Sequence, residues 1–171
     1  LGIHGKAFFL NCNNLEYELL DIPKDWIFYL VDSEVQRNLR SSSYNERFKQ
    51  LKEAEKILNV EYLGKVKKKL LNKNDFKDEV IYRRAKHVIN ENERVIEAKE
   101  SILKNNINNF GNLMNLSHMS YSNDFEASTK DVDLLTKRSL ECGALGSRLT
   151  GGGFGGFTVS LIKKKDYESW Y

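Results

Sequence analysis

Gly146-Ser147-Arg148-Leu149-Thr150-Gly151-Gly152-Gly153-Phe154-Gly155-Gly156, followed by Phe157-Thr158-Val159-Ser160-Leu161-Ile162, is the stretch on which the fold turns. The alternation over 157–162 predicts a half-buried strand. Before it, five glycines in six residues remove every Cβ except that of Phe154. A backbone so stripped can take positive φ and approach a ligand or a neighbouring loop closely. Seven of the eleven glycines lie between 143 and 156, so the chain has one special loop. Gly151, Gly153 and Gly156 satisfy G-x-G-x-x-G, but a dinucleotide fingerprint must follow a strand and open a helix. Here a strand comes after it, and no Gly-Lys-Ser/Thr makes a P-loop. Backbone N–H groups in such a loop could face an anion. Spacing alone leaves two uses open, a tight structural turn before a strand and a functional loop.

Working outward, the N-terminal part reads as extended. Ala7-Phe8-Phe9-Leu10 and the alternating Leu15-Glu16-Tyr17-Glu18-Leu19 flank an Asn-rich turn and predict a hairpin. Trp26-Ile27-Phe28-Tyr29-Leu30-Val31 is a continuous apolar run, as expected of a strand buried on both faces. Then the period lengthens to that of a helix. One stripe runs through Ser43, Tyr44, Arg47, Phe48, Leu51, Ala54 and Leu58, with Gln50 among the residues facing away. A second joins Ala85, Val88, Ile89, Asn92, Val95, Ile96, Lys99, Ile102 and Leu103. A third helix holds Phe110, Leu113, Met114 and Ser117, and a fourth opens at Ser128 with Val132, Leu135 and Leu140 inward. Strands, then helices, then a glycine loop and a strand indicate α+β with an antiparallel sheet.

The 171 residues carry a formal charge of only +3, with 40% hydrophobic and 11% aromatic residues. That composition fills a core and excludes a disordered chain. No apolar run is long enough for a membrane span and no signal peptide is visible, so no membrane partner is expected and a cytoplasmic location is the default. The small net charge implies no nucleic-acid partner. Cys12 and Cys142 match no metal spacing and read as buried thiols. His87 and His118 read as hydrogen-bonded structural residues, since a catalytic histidine needs an oriented partner. Arg83-Arg84, Arg94 and Lys67-Lys68-Lys69 read as solvated helix faces. No metal site is read.

The loop 146–156 closely resembles the third signature motif of galactokinases, members of the GHMP small-molecule kinase family. Tyr44-Asn45-Glu46-Arg47 resembles the family segment whose tyrosine contacts the sugar. Arg84-Ala85-Lys86-His87-Val88-Ile89-Asn90-Glu91-Asn92-Glu93-Arg94-Val95 resembles its long-helix signature. Leu113-Met114-Asn115-Leu116-Ser117-His118 with Asp124-Phe125-Glu126-Ala127-Ser128 resembles the next one. The motifs stand in the family's order between about 40 and 160. The sequence departs from the pattern at Phe157, where the family usually has Cys, and at Ser122-Asn123, where it has an Arg-Asp pair.

The resemblance implies residues 1–35 as the end of an N-terminal GHMP kinase domain, and 36–171 as most of a ferredoxin-like C-terminal GHMP domain, incomplete at its C-terminus. It implies transfer of a phosphoryl group from ATP, with Mg²⁺, to the 1-hydroxyl of galactose, by a protein that is monomeric when intact. Tyr44 would contact the sugar, and Thr150, Gly151, Gly152, Gly153, Phe154, Gly155 and Gly156 would lie beside the phosphate and sugar. No residue here matches the family's catalytic aspartate, which would fall a few residues before Leu1, nor its phosphate loop. The chain is therefore expected to be a piece that is inactive alone. A non-catalytic sugar and nucleotide sensor, and a kinase for N-acetylgalactosamine, are the alternatives; the triple glycine before Phe154 favours galactose.

Overall fold

A computed structural model describes residues 2–35 and 42–171. The chain runs β1 (Lys6–Leu10), β2 (Tyr17–Asp21), β3 (Trp26–Asp32), α1 (Ser42–Ile57), α2 (Glu79–Leu103), α3 (Ile107–Asn123), α4 (Lys130–Glu141), β4 (Gly146–Leu149), β5 (Phe157–Lys163) and α5 (Tyr167–Trp170). Short 3-10 turns fill the stretch between α1 and α2. The architecture is the expected α+β.

β1 and β2 form the expected antiparallel hairpin, with Phe8 opposite Leu19 and Leu10 opposite Tyr17. A separate antiparallel sheet has the order β3-β5-β4. β3 pairs with β5 along its whole length, from Trp26 opposite Lys163 to Asp32 opposite Phe157. Residues 26–32, expected with the strands before them, thus share a sheet with the far end of the chain. β3 is also not buried on both faces, because it is an edge strand whose burial alternates and whose Leu30 is 58% exposed.

The two faces of this sheet carry different helices. Residues 26 and 28 of β3 and 159 and 161 of β5 face α2 and α3, where Trp26, Ile102, Ile107, Met114 and Leu161 form a core with Leu20 of the hairpin. On the opposite face, Ser160 Oγ lies 2.7 Å from Ser139 Oγ of α4 and 3.0 Å from Ser147 Oγ of β4, while Tyr29 packs on Tyr167 and Trp170. α3 crosses β4 at two glycines: a Cβ on Gly146 would sit 2.4 Å from Gly111 O, and one on Gly111 2.6 Å from Leu145 O. The contact is backbone on backbone, which only glycine permits. A second core joins α1, α2 and the intervening turns through Ala54, Leu63, Phe76, Ile81, Ala85 and Ile89.

Several local expectations change. The α1 stripe is rotated: Tyr44 and Phe48 are exposed, and Gln50, expected to face away, turns inward to accept from Arg84 Nε at 3.0 Å. Two long polar side chains that satisfy each other take positions that periodicity assigns to apolar ones. α2 starts earlier than its stripe, because Asp78 caps it by accepting from Val80 N. Along it Val95, Ile96 and Leu103 are exposed, and Arg84, read as solvated, is buried. The cap of α4 is Thr129, accepting from Val132 N, rather than Ser128; Leu140 is exposed, and Val132, Thr136 and Ser139 are the buried residues. β4 lies within the stretch that the sequence presents as glycine loop, since four residues beginning with glycine carry no strand pattern. Both cysteines are exposed: Cys12 lies in the turn of the hairpin and Cys142 caps the C-terminus of α4.

Candidate functional site

The loop 150–156 connects β4 to β5 and is closed at its base by Thr150 N donating to Phe157 O at 2.9 Å. Gly151, Gly153, Gly155 and Gly156 take positive φ, and so does Phe154 at 58°. The loop is held at two further points. Phe154 N donates to Ala127 O at 2.7 Å, and Gly156 N to Val35 O at 3.1 Å. These two contacts explain the glycines beside them. A Cβ on Gly153 would lie 2.7 Å from Ala127 O and 2.8 Å from the Tyr121 hydroxyl, and one on Gly155 2.6 Å from Val35 O. Gly152 has neither constraint: a Cβ there would meet nothing within 4 Å, and with Gly151 it forms the exposed part of the loop. The loop is therefore both of the things that spacing left open, a tightly anchored turn and a side-chain-free exposed backbone.

Its anchor on one side is the connection between α3 and α4. Glu126 there takes φ 52°, unusual for a residue with a side chain. The preceding carbonyls are held by arginines from two helices. Arg83 Nη1 donates to Asn123 O at 2.9 Å, Arg84 Nη1 to Asp124 O, Arg47 Nε to Phe125 O at 2.7 Å, and Arg47 Nη2 to Glu126 O at 3.1 Å. The Glu126 carboxylate in turn lies 2.6 Å from Arg84 Nη2 and 2.7 Å from Arg83 Nη2. Arg84 leads the cationic partners that hold the Glu126 carboxyl below the usual carboxylate range, against the opposing effect of burial. Arg84 is 1% exposed. A buried guanidinium is tolerated because Gln50, Asp124 and Glu126 occupy its donors.

The histidines are structural parts of this frame. His87 stacks on Phe125 with ring centroids 4.7 Å apart and lies 3.0 Å from Ser120 Oγ. Burial pushes it down to about 4, so it stays neutral near pH 7. His118 Nδ1 accepts from Leu149 N at 3.4 Å, which leaves the proton on Nε2, 2.9 Å from Thr136 Oγ1 and 3.2 Å from Asp133 Oδ1. Burial lowers its pKa too, with Asp133 opposing. At the foot of β4, Arg148 Nη1 lies 3.6 Å from Glu91 Oε2, which also accepts from Ser117 Oγ at 2.6 Å. Burial would raise Glu91, but Ser117, Arg148 and Arg94 together hold its carboxyl below the usual range. Arg94, read as solvated, is largely buried against the same carboxylate.

Of the residues singled out from the sequence, Tyr44 stands in the first turn of α1 and is 59% exposed. Core packing is thereby ruled out for it. Thr150 to Gly156 stand together in the loop. Arg47, one helical turn after Tyr44, binds the same 123–127 connection that holds Phe154. Sequence reasoning missed the importance of Arg47, Arg84 and Glu126, because an arginine doublet on a helix has the same signature whether it faces water or a buried loop. An apolar cavity of about 180 Å³ between α2, α3 and the sheet, bordered by Phe28, Phe110, Met114 and Arg148, includes neither Tyr44 nor any residue of the loop.

With the sheet, the loop and its anchors described, residues 98–169 match the family model for the C-terminal domain of GHMP kinases. The whole chain resembles galactokinases in particular. The galactokinase of Levilactobacillus brevis is 33% identical over 99% of this chain and 46% of its own length, and that of Clostridium acetobutylicum 37% identical over 98% and 45%. The solved structure of Lactococcus lactis galactokinase complexed with galactose matches with a TM-score of 0.91 at 32% identity, covering 97% of this chain and 45% of that one. A mevalonate kinase from L. major, in complex with R-mevalonate, matches with a TM-score of 0.58 at 17% identity, covering 96% and 42%, which shows a shared fold alone. The chain thus spans somewhat under half the length of the galactokinases it matches.

Proposed function

We propose that this chain is the C-terminal portion of a galactokinase and forms one wall of the cleft in which ATP phosphorylates galactose. The observation that carries the reading is the 0.91 TM-score to a galactokinase complexed with galactose, over 97% of the chain. Catalysis of phosphoryl transfer is mainly positioning and charge stabilisation. In this reading, Tyr44 offers an exposed phenol to the sugar, and the loop from Thr150 to Gly156 brings bare backbone close to the transferring group. The exposed backbone of Gly151 and Gly152 suits a phosphate oxygen, since no side chain shields it. ATP supplies the phosphoryl group. Among the described residues no group of three or more His, Cys, Asp or Glu could hold a metal ion. Magnesium belongs to the proposal only as the companion of the triphosphate.

The resemblance puts the domain boundary after residue 35; we move it so that the β1–β2 hairpin belongs to an N-terminal domain and the sheet containing β3, with its helices, to the C-terminal one. The pairing of β3 with β5 supports a boundary before residue 26. The intact protein is monomeric and cytoplasmic in this reading; no helix among the described residues is long and apolar enough to cross a membrane. The chain contains no match to the family's catalytic aspartate or phosphate loop, so residues 1–171 alone release no ADP from magnesium-ATP in the presence of galactose. Galactose-dependent ADP release by this purified chain would refute that statement. The protein encoded by the intact gene is expected to phosphorylate galactose in preference to N-acetylgalactosamine, and Tyr44→Phe to raise KM for the sugar several-fold. A sugar panel showing no preference for galactose would overturn the assignment.

A further inference from the structure

The five consecutive carbonyls of residues 123–127 have a division of labour. The first four accept from Arg83, Arg84 and Arg47, and the fifth, that of Ala127, accepts the Phe154 N–H of the glycine loop at 2.7 Å. Each arginine belongs to a helix: Arg83 and Arg84 to α2, and Arg47 to α1, one turn from Tyr44. The Glu126 carboxylate gathers Arg83 and Arg84 at 2.7 and 2.6 Å, with Arg47 at 3.6 Å. The segment is thus a shared template. Its first two carbonyls are fixed to α2, the next two to α1, the helix that carries Tyr44, and its last to the loop that carries Gly151 to Gly156.

We propose that the Arg84–Glu126 pair is a positioning device that sets the glycine loop relative to Tyr44 through the carbonyl of Ala127. The claim that these two elements form one site rests on the galactokinase reading; the mechanical coupling does not. Three features make the coupling physical. Glu126 is held at φ 52°, a left-handed conformation that an L-residue keeps only where its surroundings compensate. Arg84 is buried and its donors are committed to Gln50, Asp124 and Glu126, so the guanidinium fixes the template in one geometry rather than following it. Ala127 is wholly buried, and Gly153 packs on it so closely that a Cβ would meet its carbonyl oxygen at 2.7 Å. A shift of Ala127 therefore has to move residues 153 and 154. Lys86, 3.2 Å from the Asp124 carboxylate, and Ser120, donating to that carboxylate at 3.1 Å, brace the start of the template.

Amide hydrogen exchange on the ¹⁵N-labelled chain, read by NMR, tests the coupling without any need for activity. Glu126→Gln is expected to speed exchange at Phe154 by about tenfold, and the milder Arg83→Gln by about threefold, as expected when one local hydrogen bond is loosened. Amides of β5 such as Val159 and Leu161 should stay within about twofold of wild type. Glu126→Asp keeps the charge and should recover most of the Phe154 protection. Unchanged exchange at Phe154 in a folded Glu126→Gln chain overturns the proposal. So does equal acceleration at Phe154, Val159 and Leu161 in both Glu126→Gln and Arg83→Gln, because that is the mark of general stability only. A galactose titration of the protein encoded by the intact gene, wild type and variants, separates the two ideas: a selective Phe154 response without any sugar shift at Tyr44 supports the positioning and counts against the sugar reading. A sugar shift at Tyr44 with Phe154 indifferent to Glu126 sinks the positioning alone.

Discussion

Two irregular segments lie against each other in this molecule, and they hold unfavourable backbone by opposite means. Residues 150–156 do it mostly by subtraction: glycine removes the Cβ at four of the five positive-φ positions, all but Phe154, so these cost little and the chain can press against Ala127 and Val35. Residues 123–127 do it by addition. Their left-handed residue is a glutamate, kept there by guanidinium groups from two helices. The lesson is that a special loop does not need special loop residues. It can import its rigidity from charged side chains far away in sequence, and such a loop then depends on those partners in a way the glycine loop does not.

The comparison can be broken by experiment, and the largest effect should come from the imported side. Arg84→Leu leaves Gln50 Oε1, Asp124 O and Glu126 without their buried donor, which is expected to cost about 3–4 kcal/mol. A fall in the urea midpoint with an unchanged m-value would show it; a loss under about 1 kcal/mol would mean that Arg83 and Arg47 suffice. Acid should expose the same frame next. His87 stacks on Phe125, and burial lowers its pKa to about 4 against about 6.5 for an unburied histidine. Between these values the unfolded chain takes a proton that the folded chain refuses. Its contribution is therefore fully present above pH 6.5 and lost as pH falls toward 4, by about 3 kcal/mol. His87→Phe keeps the stacking but cannot titrate, so its stability should vary less over that window. Glu126 adds in the same direction at lower pH, since its depressed carboxyl contributes stability that disappears as it is protonated.

Smaller effects should come from the glycine side. Gly153→Ala and Gly155→Ala each force a Cβ into a left-handed residue and against a backbone oxygen, for about 2 kcal/mol apiece. Thermal unfolding of the two variants checks this, and a shift as small as that of a surface substitution would show that the loop moves freely. Smallest of all is Gly152→Ala. With open space around it and no positive φ, it should change stability by less than about 0.5 kcal/mol. In the intact protein the same variant should raise KM more than it lowers stability if the exposed tip meets a substrate. An equally silent KM would separate the tip from the site.

How much of this was legible before the structure depended on the range of the signal. The glycine loop announced itself, because glycine density is a local property of the chain. The hairpin and the strand 157–162 were equally plain from period-2 alternation, and the four long helices from their apolar spacing. What went astray were features decided at a distance. Arg84 was read as solvated and Gln50 as outward, since neither sequence neighbourhood shows that each is the other's partner. β3 was read as doubly buried because its apolar run is continuous, yet its edge position leaves Leu30 in the open. Four residues from Gly146 to Leu149 gave no strand signal, and only the ladder with β5 makes them one.

By itself, then, the amino-acid sequence determined the class of fold, the order of its elements, the single glycine loop and the resemblance to galactokinases, since periodicity, glycine content and motif order are carried by residues close together along the chain. The tertiary structure decided that Tyr44 faces outward, that β3 joins β5, and that the 123–127 carbonyls bind the helix of Tyr44 to the loop of Phe154. Those outcomes rest on hydrogen bonds spanning 27 to 137 residues of chain. Nothing local selects such partners; they are chosen when packing removes the guanidinium groups from water and leaves only those carbonyls and that carboxylate to receive them.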